Sequence, residues 1–205
     1  MAHRDFFHFP KLRVHPFAVS GLFILLFVMP RAYTFAVLSS VLLHELGHLT
    51  ASLLYHKPPR SIKIIATGIS IELSPASSYA EEIVTCAAGP FMNLLYIAAA
   101  SCFPSHLCET VRTVSLLLCL LNLLPLETFD GGRILGAFCS LFFSERLADD
   151  VLQITTAFSL TVLWVLSLYI FFYSGINMTL LVFCAYLFSY LILKKACHGE
   201  KNMIK

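Results

Sequence analysis

Residues 44–48 read HELGH and place two histidines and a glutamate in an otherwise apolar stretch. On a helix, His44 and His48 lie one above the other on one face, because they are four residues apart. Two imidazoles in that arrangement can bind one metal ion, and the neighbouring carboxylate of Glu45 can act as a general base. The pattern H-E-x-x-H therefore predicts zinc-dependent hydrolysis.

A catalytic zinc needs three protein ligands and one open position for water, so a third ligand is expected elsewhere in the chain. The best candidate is Asp130, in the stretch NLLPLETFDGGRIL at 122–135. Pro125 ends a helical pattern and two glycines follow Asp130, which predicts irregular backbone around this carboxylate. Glu127 is a rival ligand, and Asp130 is preferred because the glycines let its backbone approach closely.

The segments that must position these groups are predicted to be membrane helices. The chain has 205 residues, of which 58% are hydrophobic and only 13% charged, whereas a soluble domain has about 25% charged residues. A span needs about 20 apolar residues, and the candidates are 16–30, 34–55, 82–103, 110–126, 151–173 and 176–193. They predict an all-α polytopic membrane protein with one membrane-embedded domain over residues 1–205. The net charge of +2 gives no basic field, so no nucleic-acid partner is expected.

A carboxylate inside a span is costly, at about 2.5–3.5 kcal/mol even on insertion scales, which favours a functional site over a chance cluster. Intramembrane His, Glu and Asp also mark ion pathways, so a non-catalytic metal-binding membrane protein or a divalent-metal transporter is the alternative. A transporter should spread polar residues along several spans, whereas here they converge on one point. A structural subunit of a membrane complex is a further alternative.

The loops predict an orientation and one non-helical segment. Lysines and arginines cluster at both chain ends and after the second span, and six spans put all three clusters on one side. The positive-inside rule makes that side cytosolic, so both termini are expected in the cytosol. Residues 60–75 alternate in polarity and predict a short β-hairpin or extended segment between the second and third spans. Its strand edge could receive an extended substrate by β-augmentation.

Three sequence elements occur in order along the chain: HELGH at 44–48, AGPFMN at 88–93 and NLLPLETFDGG at 122–132. With them the chain resembles the site-2 protease family of intramembrane zinc metalloproteases. The stretch VHPFAVSG at 14–21 resembles the bacterial branch that includes the stage IV sporulation protease. The resemblance implies peptide-bond hydrolysis in or near a membrane, with one zinc ion per chain.

The resemblance also implies roles for single residues. His44, His48 and Asp130 would bind zinc and Glu45 would be the general base. Asn122 would help to hold the substrate or the developing oxyanion. Asn93 would support the site, although a simple hydrogen bond between helices is an equal alternative for it.

The family likeness further implies partners and a location. Substrates would be membrane-associated proteins such as a transcription-factor precursor or an anti-sigma factor, in a bacterial cell membrane, and an inhibitory membrane partner is also expected. The chain departs from the pattern in two ways. The branch usually has a second proline shortly before the aspartate, where this chain reads Glu127-Thr128-Phe129. It also shows neither the CBS nor the PDZ domain of some relatives, so regulation through such a module is not expected.

Overall fold

The computed structural model describes residues 11–14, 29–65, 68–174, 180–189 and 191–192. Within these ranges the chain forms three short strands and six helices. The strands are β1 (Lys11–Val14), β2 (Ser61–Ile65) and β3 (Gly68–Glu72). The helices are α1 (Arg31–Leu54), α2 (Tyr79–Ser101), α3 (His106–Asn122), α4 (Asp130–Phe142), α5 (Glu145–Ser174) and α6 (Leu180–Ser189).

Three of the described helices, α1, α2 and α5, are long and apolar enough to cross a membrane. They coincide with the predicted spans 34–55, 82–103 and 151–173 to within a few residues. The predicted span 110–126 corresponds to the 17-residue α3, and α6 lies inside the predicted span 176–193. The predicted first span falls almost entirely outside the described residues. The prediction of a helical, polytopic integral membrane protein is confirmed.

The strands form one sheet in the order β1-β2-β3. Strands β2 and β3 pair antiparallel, from Ser61 opposite Glu72 to Ile65 opposite Gly68, which is the hairpin predicted between the second and third spans. Strand β1 was not predicted. It pairs in parallel with β2, and that pairing joins segments about 50 residues apart, beyond the reach of local sequence patterns.

A network of polar contacts ties the end of α1 to the start of α2. Ser78 caps α2 by accepting a hydrogen bond from the Glu81 N–H at 3.2 Å, and the Glu81 carboxylate accepts from the Ser77 N–H at 2.8 Å. Ser78 therefore satisfies one of the free amides at the start of α2. Lys57 Nζ lies 2.6 Å from Glu81 Oε1 and donates to the Pro75 carbonyl at 2.7 Å. The segment between β3 and α2 is therefore anchored next to the end of α1.

Helix α1 packs closely against α2 and α3. A methyl group on Gly47 would overlap the carbonyl of Ala88, so only glycine permits this distance between α1 and α2. Ser40 and Ser115 share a buried hydrogen bond of 2.7 Å between α1 and α3. Because these contacts replace bulky side chains with short ones, the backbones of the three helices come close enough to surround a compact site.

Asp130 does not lie on irregular backbone as predicted, because α4 begins at this residue. The irregular stretch covers 123–129. A methyl group on Gly131 would overlap the Leu123 carbonyl, and one on Gly132 would overlap the Leu126 carbonyl. The two glycines therefore allow the first turn of a helix to lie against the preceding chain, rather than forming a turn. The carboxylate of Asp130 gains a helix N-terminus, where negative charge is favourable.

Candidate metal centre

Three ligand atoms from α1 and α4 converge at one point. Asp130 Oδ2 lies 3.1 Å from His44 Nε2 and 3.2 Å from His48 Nε2, and the two Nε2 atoms are 3.1 Å apart. All three residues are buried, with exposures of 5%, 8% and 8% for His44, His48 and Asp130. The structure thus brings together the three residues that the sequence nominates as ligands, across 82 positions between His48 and Asp130.

The spacing of these atoms fits a tetrahedral cation. Bonds of about 2.0–2.1 Å from zinc to nitrogen and oxygen in tetrahedral geometry separate the ligand atoms by about 3.3 Å. Asp130 Oδ2 is buried and makes no hydrogen bond of suitable geometry with any described residue. An uncompensated buried carboxylate oxygen facing two imidazole nitrogens is what a divalent cation would neutralise. Two histidines and one carboxylate also match the donor set of catalytic zinc sites.

His48 is oriented by the backbone of α2. Its Nδ1 lies 2.8 Å from the Thr85 carbonyl oxygen. Because a carbonyl can only accept, Nδ1 carries the proton and Nε2 keeps its lone pair toward the centre. This arrangement, in which one ring nitrogen donates to an outer group and the other binds metal, fixes both tautomer and ring orientation.

His44 is oriented by Asn93, which is fully buried. Its Nδ1 lies 3.1 Å from the Asn93 side-chain Nδ2, while Asn93 Oδ1 has no hydrogen-bond partner among the described residues. A half-turn of the amide exchanges these two atoms, so that Oδ1 accepts from a protonated Nδ1. That orientation leaves the Nε2 lone pair for a metal ion and gives His44 the same outer contact as His48.

Glu45 lies beside the ligands. Its Oε2 accepts a hydrogen bond of 2.9 Å from the Ile71 N–H of β3. Glu45 and the three ligands line one cavity of about 420 Å³, which also touches the segment after β3 and Asn122. Asn122 reaches this cavity as expected, but its Nδ2 donates to the Leu118 carbonyl of its own helix at 3.0 Å. The cavity can therefore hold a ligand between a carboxylate, the candidate metal position and the sheet.

Two residues that shape the site, Gly89 and Thr85, were not predicted from the sequence. A methyl group on Gly89 would overlap His48 Nε2 and lie 2.9 Å from His44 Cε1, so this glycine makes room for both imidazoles. It belongs to the AGPFMN element, where a glycine inside an apolar helix was the available signal. Thr85 acts through its carbonyl oxygen, which any residue type supplies, so its role could not be predicted from the residue type.

No family model matches the chain. Among solved structures, it is similar to the site-2 protease from Methanocaldococcus jannaschii, with a TM-score of 0.54 and 21% sequence identity over 88% of this chain and 87% of that one. This chain has the site-2 protease fold. Among curated proteins, Stage IV sporulation protein FB from Bacillus subtilis (strain 168) is 27% identical over 147 residues, 67% of this chain and 49% of that protein. The chain thus spans about half the length of this relative.

These two similarities confirm the resemblance to the site-2 protease family that the sequence elements indicated. Within the site-2 protease fold, the three sequence elements that carry the resemblance meet at one place. HELGH lies on α1, AGPFMN on α2, and NLLPLETFDGG runs from the end of α3 into α4. Each element supplies a different part of the site: the first ligands and a carboxylate, the outer contact to His44, and Asp130.

Proposed function

We propose that this chain is an intramembrane zinc metalloprotease, formed as one membrane domain, that hydrolyses peptide bonds of membrane-associated proteins. The observation that carries the proposal is the convergence of His44 Nε2, His48 Nε2 and Asp130 Oδ2 within 4.8 Å of one another. The carboxylate of Glu45 lines the same cavity. His44, His48 and Asp130 would hold one zinc ion, and Glu45 would act on water and substrate.

When bound, zinc activates a water molecule as a nucleophile and polarises the scissile carbonyl. Glu45 accepts a proton from the attacking water while the water oxygen bonds to the carbonyl carbon. Glu45 then gives that proton to the leaving nitrogen as the carbon–nitrogen bond breaks. The Ile71 N–H holds the Glu45 carboxylate at a fixed position through its 2.9 Å hydrogen bond. The three candidate ligands are buried, which limits the access of bulk water to them.

Asn122 is proposed to bind the substrate carbonyl or the developing oxyanion. An amide nitrogen carries two N–H groups, and the Leu118 carbonyl occupies one of those on Asn122. The second is free to donate into the cavity that Asn122 lines. The uncommitted donor is the kind of group that stabilises negative charge as it develops on oxygen.

The proposal extends to partners and location. Substrates are membrane-associated proteins such as a transcription-factor precursor or an anti-sigma factor, with an inhibitory membrane partner, in a bacterial membrane with both termini in the cytosol. The likeness to Stage IV sporulation protein FB supports the bacterial setting. The clustered lysines and arginines support the orientation.

The proposed function is tested with Glu45→Gln. The full chain is reconstituted in vesicles with zinc, and cleavage of a membrane-tethered reporter protein is measured by gel. Glu45→Gln should lower the cleavage rate at least about 100-fold, because general acid–base catalysis contributes that much, while zinc per chain stays unchanged. The matched control is Glu109→Gln, at an exposed carboxylate in the first turn of α3. Equal cleavage by Glu45→Gln and the wild type would contradict the proposed role.

A further inference from the structure

Thr128 carries a buried hydroxyl that makes no hydrogen bond with any described residue. It lies in the irregular stretch between α3 and α4, two residues before Asp130. Its side chain lines the cavity that contains the candidate metal ligands and Glu45. Nearly all buried polar side-chain atoms in proteins have a partner, so an unpaired hydroxyl inside a site calls for a ligand or a water.

The backbone around Thr128 is held in place. The Phe129 N–H donates to the Leu126 carbonyl at 2.9 Å, and the Glu127 N–H donates to Thr156 Oγ1 of α5 at 3.1 Å. Leu126 itself is fully buried against α5 and α6. These contacts fix the backbone on both sides of Thr128. Its side chain is therefore held at the wall of the cavity, as precise recognition requires.

Other polar side chains that line the cavity already have partners. Asn122 donates to the Leu118 carbonyl at 3.0 Å, and Ser74 Oγ donates to the Pro58 carbonyl at 2.8 Å. Arg133 Nη2 lies 3.3 Å from Glu82 Oε1. Among these groups Thr128 is the one whose hydrogen-bonding capacity is wholly unused, within the part of the chain that the structure describes.

We infer that the Thr128 hydroxyl binds the peptide backbone of the substrate next to the scissile bond. A hydroxyl can donate to a carbonyl oxygen and accept from an amide N–H, and an extended peptide presents both groups. Thr128 is then a substrate-binding residue of the cavity, on the side opened by the stretch before α4. The inference rests on the proposed function, because it needs a peptide in this cavity.

The test compares three substitutions in the full chain, reconstituted with zinc. Thr128→Val keeps the shape of the side chain and removes the hydroxyl, whereas Thr128→Ser keeps the hydroxyl. Thr155→Val is the matched control, because the Thr155 hydroxyl donates to the Val151 carbonyl of its own exposed helix face at 2.9 Å. Cleavage of the tethered reporter is measured against reporter density in the vesicle, together with zinc per chain.

Thr128→Val should lower kcat/KM about tenfold, since one lost hydrogen bond to the substrate has that order of effect. Thr128→Ser and Thr155→Val should stay near the wild type, and all variants should bind one equivalent of zinc. Unchanged kcat/KM in Thr128→Val would overturn the inference. Equal losses in Thr128→Val and Thr128→Ser would also overturn it, because the methyl group and not the hydroxyl would then matter.

A binding measurement separates this inference from the proposed function. The reporter is titrated onto Glu45→Gln and onto the double variant Glu45→Gln/Thr128→Val, which need not cleave it. About tenfold weaker binding by the double variant supports the inference even if the wild type shows no cleavage. Equal binding overturns it, and shows that the hydroxyl has a structural partner such as a water. If Thr128→Val fails to accumulate, Thr128→Ala removes the hydroxyl without adding volume.

Discussion

Among the three candidate ligands, only Asp130 contributes a negative charge to the metal position. His44 and His48 are neutral when they bind metal, and Asp130 contributes one negative charge. A zinc ion bound there would leave one positive charge uncompensated within the ligand set. The Glu45 carboxylate, on the same cavity, faces that excess charge. A bound zinc ion would therefore offset part of the cost of placing the Glu45 carboxylate in an apolar helix.

Asn93 gives a prediction at the residue scale. Asn93→Leu removes the outer acceptor for His44 Nδ1, so zinc affinity should fall about 10- to 100-fold, as is usual when such contacts are lost. Asn93→Asp places a carboxylate oxygen where the amide atom lies 3.1 Å from Nδ1, and it should retain zinc affinity within about threefold of the wild type. Competition with a chromogenic chelator measures both values on purified chains.

The control for Asn93 is Asn122→Leu, which alters a cavity amide that donates to the Leu118 carbonyl of its own helix. Its zinc affinity should match that of the wild type. If Asn93→Leu binds zinc as tightly as Asn122→Leu does, Asn93 serves only helix packing, which was the alternative open from the sequence.

At the element scale, the site depends on how closely α1 and α2 cross. The imidazole of His48 fills the space that a side chain at position 89 would occupy, and the Thr85 carbonyl of α2 accepts a hydrogen bond from the same ring. Helix α2 therefore packs directly against the two histidines and also orients His48. The close packing is possible because Gly89 has no Cβ, and the orientation comes from the Thr85 carbonyl.

Gly89→Ala should therefore abolish zinc binding while leaving the helices intact. The added methyl group overlaps His48 Nε2 and forces the ring away from Asp130. Gly136→Ala is the matched control on α4, where the added carbon would lie 3.6 Å from Leu152 Cδ2, an ordinary contact. Zinc per chain and far-ultraviolet circular dichroism measure the two effects. Normal zinc content in Gly89→Ala would show that the ring can be accommodated elsewhere.

The elements also show how far sequence reasoning reached. His44 and His48 were predicted to share a face because their spacing matches a helical turn, and α1 places them so. Asp130 was chosen over Glu127 on the strength of two glycines, and it lies at the ligand cluster. The helical start of α4 was missed, since two glycines ordinarily mark a turn. Whether a glycine serves flexibility or close approach depends on what packs against it.

Contacts over long chain distances set the limit of prediction. The backbone before Thr128 is held by α5, through the bond from the Glu127 N–H to Thr156, and no local pattern encodes this contact. The Ile71 N–H contact to Glu45 likewise requires a strand edge to lie against a helix. Residue types predicted the candidate ligands, whereas the groups that orient them are the Thr85 carbonyl and the Asn93 side chain.

At the scale of the whole molecule, a bound metal ion would join α1 to α4. Zinc that binds only the folded state should raise the thermal unfolding temperature, by the equivalent of about 2.7 kcal/mol at a hundredfold excess over Kd. The measurement is a thermal shift in detergent with zinc and with chelator. Asp130→Ala should lose this zinc-dependent shift, while Glu127→Ala should keep it. A shift retained by Asp130→Ala and lost by Glu127→Ala would make Glu127 the ligand.

Two contacts that orient the site are made by the main chain: the Thr85 carbonyl holds His48, and the Ile71 N–H holds Glu45. Any residue supplies a carbonyl, and any residue but proline supplies an N–H. The residue types at positions 71 and 85 can therefore change in evolution without loss of either contact. This freedom gives one physical reason why a chain only 21% identical to this one can share its fold. Among relatives, position 71 should vary widely and yet exclude proline.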